Sequence, residues 1–68
     1  MEKKRNPNES KILIVLVKNG DFMTTAQVAS EAKMSWNTAL FYLKEFYKRG
    51  WVEKEGERTI YWRALVEE

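Results

Sequence analysis

At Gly50 the spacing of apolar residues changes from the 3.6-residue period of an amphipathic helix to the two-residue period of a strand. That change confines the fold to helices first and a hairpin last. Downstream of it, Trp51–Glu55 and Thr59–Leu65 are rich in aromatic and β-branched residues and are joined by Gly56-Glu57-Arg58, which reads as a β-hairpin. A chain of 68 residues has room for one domain. Folding at this size buries only about 60% of the unfolded surface, so the core is small. There is no Cys and no His. Disulfides, thiolate ligands, zinc fingers, triads with an imidazole base and imidazole pH switches therefore drop out. No cofactor and no metal are expected, and a binding module is favoured over an enzyme.

Single residues punctuate the helical part. Asn6, Pro7 and Glu9 place an N-cap, a proline at the first helical position and a carboxylate three residues past the cap. Asn19-Gly20 closes that first helix, expected over about residues 7–18. The run Ile12-Leu13-Ile14-Val15 also fits a buried strand, but the cap and a length of about 12 residues favour helix. Thr24 and Gln27 have capping-box spacing ahead of a second helix at about 25–32. Ser35 serves as N-cap for a third at about 36–49, which stops at Gly50. Asp21-Phe22-Met23 adds a short strand between the first two helices. The expected class is mainly α with a small antiparallel hairpin, in the order helix, strand, helix, helix, strand, strand. Residues 1–5 form a basic tail with Lys3, Lys4 and Arg5, and 6–68 form the domain.

Charge favours a partner only locally. Twelve Lys and Arg against ten Asp and Glu leave a net +2. Between Lys33 and Lys48, however, Lys33, Lys44 and Lys48 face Glu45 alone. The longest apolar run, Ile12–Val17, is too short for a membrane span of roughly 20 residues, so a cytoplasmic protein with no membrane contact is expected.

Two helices joined by a short turn, the second longer and more basic, can present one helix to the DNA major groove. The residues carry a family resemblance as well. Val28-Ala29, Met34-Ser35, Thr38-Ala39, Tyr42-Leu43 and Gly50-Trp51-Val52, preceded by Lys11-Ile12-Leu13 and Leu16, resemble the pattern of winged helix-turn-helix transcription regulators of the multiple-antibiotic-resistance and arsenical-resistance repressor types. The resemblance covers roughly Lys11 to Leu65. It implies a recognition helix at 36–49 in the major groove, a wing at 54–59 on the backbone or minor groove, and a homodimer bound to double-stranded DNA. Two departures stand out: the turn position often held by Gly is Lys33, where a residue with a side chain would have to adopt a positive φ, and the recognition helix is unusually apolar for one that reads bases.

On a helical wheel, Phe46, Ala39, Leu43, Trp36, Tyr47 and Leu40 share an arc of about 120° suited to the core, and Lys44, Asn37, Lys48 and Phe41 lie opposite. Trp36 and Leu40, at the edge of that arc, fit either the core or contact with thymine methyl groups. Asn37 fits bidentate contact to adenine, or a solvent-facing amide with a local cap bond. Ser35 fits an N-cap and a phosphate ligand together, and Thr38 a phosphate or packing position. Lys44 and Lys48 fit phosphate contact or ordinary solvation. In the wing only Lys54, Arg58 and Arg63 oppose Glu53, Glu55 and Glu57, so Lys54 and the tip residue Arg58 are the expected contacts.

Helix 1 is apolar almost all round, because Ile14 and Val15 point away from the Ile12, Leu13, Leu16 and Val17 arc. Dimerisation through Ile14 and Val15 is expected, joined by Trp62, Leu65 and Val66, with cover for the back of the hairpin as the other reading of Trp62. The opposing function is a winged helix used for protein contact, in which Trp36, Leu40 and Phe41 dock on another protein.

Overall fold

The computed structural model describes residues 7–65. The basic tail, the expected cap Asn6 and the interface candidate Val66 lie outside the described residues. The order is α1 (Pro7–Asn19), β1 (Met23–Thr24), α2 (Thr25–Ala32), α3 (Trp36–Arg49), β2 (Val52–Glu55) and β3 (Tyr61–Ala64). It is the winged-helix arrangement of three helices and a small antiparallel sheet.

Local chemistry sets the helix ends. Thr24 is extended (φ −75°, ψ 162°); its hydroxyl accepts from the Gln27 N–H at 3.1 Å, while the Gln27 side-chain oxygen accepts from the Thr24 N–H at 2.9 Å. Two donors that the first turn of α2 leaves unpaired are thereby satisfied. At the other end Lys33 is left-handed (φ 58°, ψ 53°), and the N–H groups of Lys33 and Met34 reach the carbonyls of Ser30 at 3.2 Å and Ala29 at 3.0 Å. This pair of bonds is a Schellman closure, made here without the glycine that usually serves it. Gly50 closes α3 the same way at φ 79°, its N–H reaching Tyr47 at 3.1 Å and that of Trp51 reaching Phe46 at 2.9 Å. The Phe46 and Trp51 rings lie 5.4 Å apart over that closure, supplying its usual apolar contact.

The three strands lie in the order β1-β3-β2, both pairs antiparallel. Trp62 on the central strand stands opposite Met23 on one side and Lys54 on the other. It is only 2% exposed, and its indole N–H donates to the Thr25 hydroxyl at 2.8 Å. The core then comprises Ile12, Leu13 and Leu16 of α1, Val28, Ala29 and Ala32 of α2, Ala39, Leu43 and Phe46 of α3, and Met23, Val52 and Trp62 of the sheet.

This packing corrects four expectations. Trp62 is not an interface residue, since a side chain filling the core and bonded to Thr25 has no face left for a second chain. Val15 packs half-buried against the core, leaving Ile14 as the exposed apolar residue of α1 at 42%. On α3 the buried stripe is Ala39, Leu43 and Phe46 flanked by Leu40 and Tyr42, so the helix is turned by roughly 30° from the arc its apolar residues suggest. Contacts with α1, α2 and β2 fix that rotation and leave Trp36 and Tyr47 outside. The wing loop is also longer than Gly56–Arg58. β3 starts only at Tyr61, because the Thr59 carbonyl folds back against Gly56 and Ile60 turns half-buried toward the core.

Candidate nucleic-acid interface

The helix pair α2 and α3 meets across residues 33–35, and the Ser35 cap fixes how α3 begins. Ser35 is extended (φ −71°, ψ 158°); its hydroxyl accepts from the Thr38 N–H at 3.1 Å and donates to the Thr38 hydroxyl at 2.9 Å. Both side chains are thus oriented by each other at the exposed start of α3. With Ala39, Leu43 and Phe46 holding one face in the core, the opposite face is determined by the 3.6-residue turn. Asn37, Phe41, Lys44 and Lys48 stand in one row at i, i+4, i+7 and i+11, all exposed. Phe41 is 58% exposed, its ring set edge-on to half-buried Tyr42 with centroids 5.2 Å apart. A second row holds Trp36, half-buried Leu40 and Tyr47, with Trp36 51% exposed. The sequence-level expectations for Asn37, Phe41, Lys44 and Lys48 thus share one outward face, and Trp36 sits at its edge.

Charge on this face is positive with a single local opponent. The Lys48 ammonium lies 3.4 Å from the Glu45 carboxylate in an exposed pair, which solvent and salt weaken. Arg49, one residue further, turns away: its guanidinium lies 3.8 Å from Glu9 and 4.8 Å from the centre of the Trp51 ring. Lys44 stands on the outer row beside Phe41 and Asn37.

The wing adjoins this face through Tyr47. Lys54 holds its ammonium 4.8 Å over the Tyr47 ring and 6.0 Å from that of Trp62, so the expected wing contact Lys54 is tied to α3 by a cation–π contact. Tyr47 is the residue that the wheel hid. Its i+11 spacing from Trp36 and i+7 spacing from Leu40 placed it in that row once the helix rotation was known. Arg58 is exposed in the loop between β2 and β3. Arg63 is engaged within the sheet: it is paired with Glu53, its register partner, with the Nε at 2.7 Å from the carboxylate, and it covers the Phe22 ring at 4.7 Å. That pairing also neutralises Glu53, so the carboxylates left exposed in the wing are Glu55 and Glu57.

A second surface lies between α1 and α2, an open groove of about 710 Å³ lined by Ile14, Val15, Met23 and Ala32 and bordered by Lys11 and Lys33. Leu65, also expected in an interface, leaves its side chain exposed while its N–H donates to the Trp51 carbonyl at 2.8 Å. Among the described residues no group of acidic side chains is arranged to hold a metal ion. None of the helices described is long and apolar enough to cross a membrane.

Residues 5–53 match a family model described as winged helix-turn-helix DNA-binding. No curated protein sequence matches the chain. Among solved structures, wild-type Lactococcus lactis ZitR in complex with DNA gives a TM-score of 0.74 at 20% identity, over 94% of this chain and 45% of that one. A cysteine-to-serine variant of ZitR in complex with DNA gives 0.70 at 23% identity, over 91% and 43%. ZitR crystallised as a zinc-responsive MarR family member gives 0.65 at 19% identity, over 93% and 44%. Similarity at these identities is one of fold, and the chain spans less than half the length of these proteins.

Proposed function

Because the chain belongs to the winged helix-turn-helix DNA-binding family, we propose that it binds double-stranded DNA sequence-specifically as a homodimeric transcription regulator. The family is defined by DNA binding rather than by catalysis. The observation that carries the reading is the outer face of α3, where a carboxamide and two lysines stand in one row on a helix whose opposite face is locked in the core. Such a row suits base contact from the first turn and phosphate contact further along. In this reading α3 enters the major groove. Asn37 meets base edges, with Trp36, Leu40 and Phe41 beside it. Ser35, Thr38, Lys44 and Lys48 meet phosphates. The wing adds Lys54 and Arg58 on the backbone or in the minor groove. The ZitR complexes, which share this fold and hold DNA, support the same use here. Exposed Ile14, with Leu65, supplies apolar surface for a second copy.

A gel shift across salt concentrations tests this reading. Affinity should fall steeply as salt rises, because each lysine–phosphate contact releases a counterion. Lys44→Ala should flatten the logarithmic slope by roughly one unit. Sedimentation should give twice the chain mass at micromolar concentration. The exposed Trp36 and Phe41 together with the acidic Glu55 and Glu57 favour a second reading, a module that docks on another protein. Absence of any shift at low salt would select it.

A further inference from the structure

The residue hardest to reconcile with a bare solvated surface is Phe41, the most exposed large apolar side chain among the described residues. Apart from an edge-on contact with half-buried Tyr42, it lies away from the core. It occupies the outermost row of α3, one turn from Asn37 and next to Lys44, where the core-facing stripe of Ala39, Leu43 and Phe46 lies on the far side of the helix. Trp36, five residues earlier in the second row at the edge of that face, is also half exposed. An apolar ring placed among a carboxamide and cations gains by burial only if its partner offers an apolar spot within a polar, anionic surface. The major groove offers such a spot in the C5-methyl group of thymine, the bulkiest apolar group at its base edges, where most of the other recognition groups are hydrogen-bond donors or acceptors. The same face carries no arginine, the side chain best shaped for guanine. Arg49, at the far end of α3, is turned to Glu9 and Trp51.

Resting on the DNA-binding reading above, we infer that α3 reads the 5-methyl group of thymine through Phe41, with Trp36 as a flanking contact, and that Asn37 addresses an adenine beside it. The sites the protein prefers are then rich in A·T pairs at the positions facing the first two turns of α3. Discrimination there comes from apolar contact more than from hydrogen bonding. Phe41 is therefore a specificity residue whose removal leaves phosphate binding in place.

The probes are duplexes selected by the protein from a random library, remade with each thymine in turn replaced by deoxyuridine, which lacks only the methyl group. At one or two positions per half-site the replacement should weaken binding about three- to fivefold, the effect of exposing roughly one methyl group. Phe41→Ala should bind the thymine and deoxyuridine duplexes alike while melting at the parent's temperature. Phe41→Leu, which keeps apolar bulk, should retain part of the discrimination, and Lys44→Ala all of it. Equal affinity of the parent protein for thymine and deoxyuridine duplexes would overturn the inference and leave the DNA reading standing. So would full discrimination in Phe41→Ala. Failure to bind any duplex at low salt would overturn the DNA reading itself.

Discussion

The helix pair α2–α3 and the hairpin β2–β3 both need one residue in a left-handed conformation, and they meet that need differently. At the turn between the helices the residue is Lys33 (φ 58°), held by two backbone bonds that close α2. At the hairpin it is Gly56 (φ 110°), where a Cβ would collide with the Thr59 carbonyl. The first turn tolerates a side chain because nothing but backbone strain opposes it; the second does not, because backbone fills the space. The two regions also differ in what holds them. Each end of the helix pair is closed by side chains and backbone within five residues, as the Thr24–Gln27 and Ser35–Thr38 bonds illustrate. The hairpin is held from a distance, by Trp62 bonded to Thr25. Local closure and distant anchorage therefore separate the recognition helix from its wing.

Removing the anchor should give the largest effect. Trp62→Ala deletes a fully buried ring and strands the Thr25 hydroxyl, so it should cost about 3–5 kcal/mol, a large share of what a small domain possesses. Urea unfolding followed by circular dichroism checks this. A loss below about 1 kcal/mol would mean that the hairpin is not anchored through this residue.

Next comes the hairpin turn. Gly56→Ala must displace the Thr59 carbonyl as well as strain φ, and should cost about 1–3 kcal/mol by the same measurement. If α2–α3 and the hairpin fold as one cooperative unit, probes in either region should report the same midpoint.

The helix turn gives a smaller effect with the opposite sign. Lys33→Gly relieves a left-handed strain of about 1–2 kcal/mol and gives back part of it through the greater freedom of glycine when unfolded. A net gain of up to about 1 kcal/mol is expected from the melting curve. Any loss would show that the Lys33 side chain contributes packing that its exposure conceals.

The smallest effects concern how the wing meets DNA. Arg58 and Glu57 neighbour each other in the exposed loop, so Arg58→Ala should weaken binding a few-fold at low salt and Glu57→Gln should strengthen it slightly. Both changes should fade as the screening length falls toward about 8 Å at physiological ionic strength. If Arg58→Ala binds like the parent at low salt while Lys44→Ala does not, the wing makes no DNA contact and the division of labour between the two regions is complete.

The elements closed by near neighbours were legible in the amino-acid order. Thr24 with Gln27, Ser35 before Trp36 and Gly50 after Arg49 are signals whose partners lie within four residues, so the chain announces them without its fold. The switch of period at Gly50 likewise announces the hairpin, and the row of Asn37, Lys44 and Lys48 follows from helical spacing alone. Three things required the tertiary structure. The rotation of α3, which exposes Trp36 and Tyr47, was set by which side α1, α2 and β2 occupy, and six apolar residues spread over about 120° cannot choose among neighbouring rotations. The commitment of Arg63 to Glu53 depended on strand register, and so decided which wing charges remain for a partner. The place of Trp62 depended on Thr25, 37 residues away in the chain. An indole set between Tyr61 and Arg63 reads equally as surface or core until the helix bearing its hydrogen-bond partner is packed against it.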